Sequence, residues 1–219
     1  MPALPTTAEE AVALQRALRH QVEVSPGPTN PRTVAGLDVA YADGSDRVAA
    51  AVVVLDAGNL LPVQQATATG LATFPYVPGL FAFRELPTLL EALAQLTVTP
   101  DVLVCDGQGL AHPERFGLAC HVGLETGLPT IGVAKTLFIG EYEEPGDQRG
   151  DWSPLTDGGE VIGRVLRTRA GVKPVFVSVG HRFDLDSATE LTLALTPRYR
   201  LPETTRAADQ LSRLALRAG

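Results

Sequence analysis

Between Asp101 and Thr136 the chain reads DVLVCDGQGLAHPERFGLACHVGLETGLPTIGVAKT, and this stretch limits the choice of fold more than any other. Val102–Cys105 is a short apolar run of the kind that forms a buried strand. It ends on a carboxylate, Asp106. Gly107 and Gly109 follow, so the backbone there is free to turn sharply and to lie close to a ligand. Then come His112, a helix predicted over Pro113 to about Thr126, a second apolar strand at Thr130–Ala134, and Lys135. A charged group at the exit of a buried strand, followed by glycines, is how α/β proteins commonly build a site. Asp is also a frequent turn residue, so simple capping of the turn is the competing account of Asp106.

The rest of the chain supplies partners for these strands. Thr7–Val22 is amphipathic, with apolar Val12, Leu14, Leu18 and Val22, and Thr7 with Glu10 forms a capping box at its start. Ser25–Arg32 is a turn-rich linker. Thr33–Tyr41 reads as a strand with Asp38 in its middle. Arg47–Leu55 should pair with it through the turn ADGSD, and Leu61–Ala68 is a third strand. In FPYVPGLFAFRELP (Phe74–Pro87), Pro75 and Pro78 hold Tyr76 and Val77 on a stiff turn. A helix is predicted over Pro87–Leu96, with Glu85 just before it. Gly140–Gly150 reads as an acidic loop, and Val161–Thr168 and Pro174–Val179 as strands joined by a turn at Arg169–Lys173. His181 reads as a turn residue, Ser187-x-x-Glu190 as a capping box opening a helix over Ala188–Leu195, and Pro202 with Thr204 and Thr205 as the start of a last helix. This order suits a mixed sheet flanked by helices.

The length of 219 residues suits one domain over 1–219. No apolar run approaches the roughly 20 residues of a membrane span, and MPALPTTAEEAVALQ lacks the pattern of a secretory signal. Cys105 and Cys120 fall in or beside elements predicted to be buried and read as reduced thiols of a cytoplasmic protein. The net charge is −7, but it is unevenly spread. Residues 1–163 carry 8 Lys and Arg against 20 Asp and Glu, whereas residues 164–219 carry 10 against 5. A basic final quarter could present a phosphate-binding face, with Arg198, Arg200, Arg206 and Arg213 as its candidates. The alternative is that these arginines pair with Asp184, Glu190 or Glu203.

Four acids stand out: Asp38 inside a strand, Glu85 before a helix, Asp106 at a strand exit and Asp209 in the last helix. A carboxylate inside an apolar strand is costly to bury unless it is paired or bound to a metal. Carboxylate oxygens are the ligands that Mg²⁺ or Mn²⁺ prefers, and no Cys/His cluster competes for zinc. Converging carboxylates repel one another unless a cation lies between them. Lys135 offers a further positive charge for a phosphate.

The motifs VAGLDVAY, FPYVPGLFAFRE, DVLVCDGQGLAHPERFGLACH, PTIGVAKT, GHRFDLDSA and YRLPETTRAAD occur together and in this order, and with them the chain resembles the endonuclease V family over nearly its whole length. The resemblance implies a ribonuclease H-like fold. It implies cleavage, dependent on Mg²⁺ with Mn²⁺ able to substitute, of the second phosphodiester bond 3′ to inosine or deoxyinosine. The products would carry 3′-hydroxyl and 5′-phosphate ends. Asp38 and Asp106 match the family's two metal-binding aspartates, Glu85 its third acid, Lys135 the lysine of its VAK motif, and His112 the histidine of its GLAHP motif. Asp209 stands where the family has histidine or aspartate. Tyr76, between Pro75, Val77 and Pro78, looks like the strand-parting wedge. Gly79, Leu80, Gly107, Gly109 and Gly117 look like the pocket for a flipped base. The expected partner is DNA containing deoxyinosine, with an enzyme acting mainly on inosine-containing RNA as the alternative, by a monomer with no membrane attachment. Two other readings compete: a small-molecule phosphatase, which has no duplex to part, and a non-catalytic nucleic-acid-binding module, which has no need of Asp38, Glu85, Asp106 and Lys135 together.

Overall fold

A computed structural model describes residues 5–218. Helix α1 (Ala8–Leu18) opens on the Thr7–Glu10 capping box and passes into a 3-10 turn at Arg19–Gln21. Strands β1 (Thr33–Tyr41), β2 (Arg47–Asp56) and β3 (Pro62–Leu71) follow, then α2 (Ala82–Leu93), β4 (Val102–Cys105), α3 (Leu118–Thr126) and β5 (Thr130–Ala134). Three antiparallel strands, β6 (Trp152–Asp157), β7 (Glu160–Leu166) and β8 (Val175–His181), lead to α4 (Leu185–Ala194) and α5 (Glu203–Ala218). The eight strands form one mixed sheet in the order β3-β2-β1-β4-β5-β8-β7-β6. Its centre, β1, β4 and β5, is parallel, and every other pairing is antiparallel.

The centre is where sequence and structure agree best. The continuous apolar runs of β1, β4 and β5 fall within their predicted bounds, as strands covered on both faces should. On one face α2 and α3 bury Leu86, Leu89 and Val122 against Leu37, Val52 and Leu103. On the other, Phe183, Ala188 of α4 and Leu195 just beyond that helix cover Val34, Val104, Ile131 and Val177. Helix α5 completes that face by seating Ala208 on Val53 and Leu55. A β-carbon on Gly36 would stand 2.1 Å from the backbone carbonyl of Thr204, so the bare backbone of β1 is what lets α5 lie so close.

Several boundaries differ from expectation, each for a physical reason. Helix α2 begins five residues before Pro87 because Phe83 and Leu86 are buried, so Glu85 lies in its first turn and Pro87 in its interior. Helix α3 starts at Leu118 rather than Pro113. The preceding segment is irregular, with Arg115 at φ 53°. Asp184, accepting from the Ser187 N–H at 2.7 Å, caps α4, so Ser187 and Glu190 do not form the expected box. His181 is the last residue of β8 and is buried, its Nδ1 accepting from the Glu23 N–H at 3.2 Å, and is not a turn residue. Strand β6 was not anticipated. It carries Pro154, which an edge position tolerates.

Candidate active site

The register of the central strands brings the two aspartates together. Leu37 of β1 pairs with Cys105 of β4 in parallel, and the Asp106 N–H points to the Leu37 carbonyl at 3.4 Å. Asp38 and Asp106 are therefore the next residues on adjacent strands. Lys135 follows directly on β5, and its ammonium forms an ion pair with Asp106. From above the sheet α5 lowers Asp209 and Ser212, and the Ser212 hydroxyl donates to Asp38 Oδ2 at 2.6 Å. Asp209 accepts from Arg213 Nη2 at 2.9 Å. From the first turn of α2, Glu85 accepts from the Tyr41 hydroxyl at 3.0 Å.

This concentration of negative charge is strained in the bare chain. Burial raises the Asp38 carboxyl above its usual range, and the Ser212 hydrogen bond only partly opposes this while the charges of Asp106 and Asp209 add to it. Burial, and then Asp38 and Asp106, push Glu85 up to about 8. Burial works against the Lys135 charge, but Asp106, with Asp38 and Asp209, more than offsets this and holds the ammonium above its ordinary value. Among the described residues, no three Asp, Glu, His or Cys side chains are already drawn into a ligand cage. The donor set nevertheless suits a hard divalent cation. Mg²⁺ is commonly held by one or two carboxylates with water filling the remaining positions, which Asp38 and Asp106 can provide.

A pH dependence follows. Between about 4.3, an ordinary glutamate value, and about 8, the native chain keeps a proton on Glu85 that the unfolded chain has lost. Metal-free stability should therefore fall as pH rises through that window, by on the order of 1–3 kcal/mol. Thermal melts in chelator from pH 5 to 8.5 check this. Glu85→Gln should flatten the slope, and a slope equal to wild type in that variant would refute the cause.

Asp106 also borders a cleft of about 100 Å³ whose walls include Gly79, Glu85, Gly107, His112, Gly117 and Phe138. Its rim is tied to distant segments. Gly79, at φ 85°, turns its carbonyl to accept from Gln15 Nε2 of α1 at 3.0 Å, and His112 Nε2 lies 2.7 Å from the same oxygen. His112 Nδ1 accepts from the Glu114 N–H at 3.1 Å, so the proton sits on Nε2, and burial keeps the ring neutral by lowering its pKa. His112 is thus a fixed wall of the cleft that Asp106 also borders. Tyr76 stands outside, 73% exposed, with its ring 4.9 Å from that of Phe81. Pro75, Val77 and Pro78 shape this loop. Leu80 turns inward onto Phe74 and Phe83 and anchors it. Gly109 lies beneath the cleft, its N–H donating to Ser178 Oγ at 2.8 Å. Gln15, Tyr41, Phe138 and Ser212 escaped the sequence reading. Only Ser212 left a trace there, three residues after Asp209 on the same helix.

The basic quarter is partly committed elsewhere. Arg200 donates to the carbonyls of Lys135 at 2.5 Å, Lys173 at 2.8 Å and Pro174 at 2.8 Å, and Arg198 pairs with Glu203 at 3.4 Å. Arg198 follows the expected pairing with Glu203, whereas Arg200 is taken up by backbone carbonyls rather than by any of the three acids. Arg200 holds the backbone of the residue that carries the Lys135 ammonium.

Comparison with known proteins agrees with this geometry. Residues 16–210 match a family model described as Endonuclease V. An endonuclease V of Nocardia farcinica is 64% identical over 216 residues, covering 98% of this chain and 95% of that protein. The crystal structure of the endonuclease V of Streptomyces avermitilis superposes with a TM-score of 0.95 at 58% identity, covering 100% of this chain and 96% of that one. Ciona intestinalis endonuclease V, crystallised with a 24mer DNA containing an inosine followed by a ribo-adenosine, gives a TM-score of 0.86 at 28% identity over 96% of this chain and 98% of that one. The chain belongs to the endonuclease V family and is a nuclease of ribonuclease H-like fold.

Proposed function

We propose that this nuclease hydrolyses the second phosphodiester bond 3′ to deoxyinosine or inosine, leaving 3′-hydroxyl and 5′-phosphate ends, with Mg²⁺ as cofactor and Mn²⁺ able to replace it. The observation that carries the reading is the adjacency of Asp38 and Asp106 beside Lys135, at a point where the carboxylate groove meets a glycine-walled cleft. Asp38 and Asp106 would hold the metal, which when bound would supply an activated water and neutralise charge developing on the phosphate. Ser212 and the buried setting fix the Asp38 carboxylate in one orientation. The Lys135 ammonium stands ready to leave Asp106 for a phosphate oxygen. Glu85 and Asp209 complete the acidic wall.

The cleft beside Asp106 takes the flipped base, with Gly107 and Gly117 among its walls. Tyr76, exposed between its prolines, parts the strands at the lesion, a task with no counterpart in a small-molecule phosphatase. The Ciona relative's complex with inosine-containing DNA supports the substrate class. The ribo-adenosine in that ligand favours a second reading, in which inosine-containing RNA is cut preferentially. The chain acts as a single cytoplasmic domain and as a monomer.

The test is incubation of purified protein and Mg²⁺ with end-labelled DNA and RNA oligonucleotides bearing one inosine, followed by mapping of the cut. A product that lacks the base but keeps its backbone would overturn the reading. For the wedge, Tyr76→Ala should weaken binding to lesion-bearing duplex by about 1–3 kcal/mol and weaken binding to the single strand much less. Equal losses in a titration of both substrates would remove the wedge role.

A further inference from the structure

One face of α5 borders the carboxylate groove with Arg206, Asp209, Gln210 and Arg213, residues three, four and seven apart that share one side of a helix. They line, with Asp106 and Lys135, a recess of about 160 Å³ on the side of Asp106 away from the base cleft. Arg206 differs from the neighbouring arginines. Arg200 is bound to three carbonyls, and Arg213 is fully paired with Asp209. The Arg206 guanidinium instead lies over the Tyr199 ring, its Cζ 3.7 Å from the centroid. Its buried Nε has no hydrogen-bond partner among the described residues, and Glu203 approaches it only to 3.7 Å. Tyr199 is itself 42% exposed. A guanidinium held by stacking presents its planar fork in a fixed direction, the geometry that suits bidentate recognition of a phosphate.

We propose that the Tyr199–Arg206 stack is a phosphate-binding subsite for the nucleotide next to the cleaved bond, on the side away from the flipped base. The inference rests on the reading of the carboxylate groove as the site of phosphodiester hydrolysis. A strand whose scissile phosphate lies at Asp106 and Lys135 must continue into one of the openings beside them, and this recess carries, where the next backbone phosphate would pass, a guanidinium whose acidic neighbour Glu203 stays at 3.7 Å. The contact positions the strand and carries no base information. Arg206 is therefore a binding residue: of the four arginines of the final quarter, Arg198 and Arg200 serve the fold, Arg213 is paired with Asp209 at the groove, and Arg206 faces the groove.

The experiment is a fluorescence-anisotropy titration, in chelator and over several KCl concentrations, of a duplex with one inosine and of its unmodified counterpart, alongside cleavage in Mg²⁺. Arg206→Gln should lower affinity for both duplexes about tenfold and reduce the slope of log affinity against log salt by about 0.9. Tyr199→Leu keeps the charge, and should leave the slope while lowering affinity about threefold. Arg198→Ala should match wild type. The inosine preference and the position of the cut should be unchanged in all three. An unchanged slope in Arg206→Gln, or, if that variant does not fold, unchanged affinity in Tyr199→Leu, would overturn the subsite while wild-type cleavage upholds the nuclease reading. Absence of cleavage by the wild-type chain would overturn both.

Discussion

Asp38→Asn and Asp106→Ala should each abolish cleavage of an inosine-bearing strand while the chain stays folded and keeps its affinity for that strand. The two carboxylates are consecutive with the paired residues Leu37 and Cys105, so they are the closest oxygen donors that adjacent strands can offer. Removing either leaves a divalent cation a single carboxylate from this pair, and the barrier should rise by on the order of several kcal/mol. The stability arm distinguishes this from unfolding. Asp38 is already held above its usual range by burial and by its acidic neighbours, so neutralising it relieves repulsion in the metal-free state. Metal-free Asp38→Asn should melt no lower than wild type at pH 8, and the rise in Tm that Mg²⁺ gives the wild type should largely vanish. The base cleft is walled by Gly79, Gly107 and Gly117, so binding in chelator should persist. Full single-turnover activity in Asp106→Ala would remove the metal assignment.

Gly36→Val should be the most damaging change outside the site. Even the β-carbon would stand 2.1 Å from the Thr204 carbonyl, and what it meets is backbone, which cannot rotate aside. Either α5 is displaced or β1 is bent, at roughly 3 kcal/mol or more, the upper range of overpacking. The change should also reach the chemistry, because α5 carries Asp209 and the Ser212 hydroxyl that orients Asp38. Urea denaturation and cleavage assays on one preparation check both effects. A wild-type midpoint would mean that α5 does not press on β1 as described.

The parts of this protein that could be read from its sequence are those with short-range causes. Asp38 was legible because a carboxylate within TVAGLDVAY contradicts its surroundings, and Asp106 because a charge followed by glycines ends an apolar run. Helix α2 was misplaced because Pro87 resembles a first-turn proline, whereas burial of Phe83 and Leu86 sets the real start. Strand β6 was hidden by Pro154, which argues against a strand until its edge position is known. Gln15 and Ser212 were illegible for a different reason. Their partners lie 64 and 174 residues away, and no local pattern announces a contact closed by the whole fold. The charge excess of the final quarter was legible, but which arginine is left to the groove depended on which others the backbone had claimed.

The Gly79 carbonyl, held at once by Gln15 of α1 and by His112, ties the proposed base cleft to the first helix. The acids and lysine proposed for the chemistry lie between Asp38 and Asp209, while one wall of the cleft proposed for the base is braced by the first helix. A lineage could therefore retune which damaged bases it accepts by small changes in α1, without touching a residue that handles the phosphate. The amino-terminal helix is the part of this nuclease most open to a change of diet.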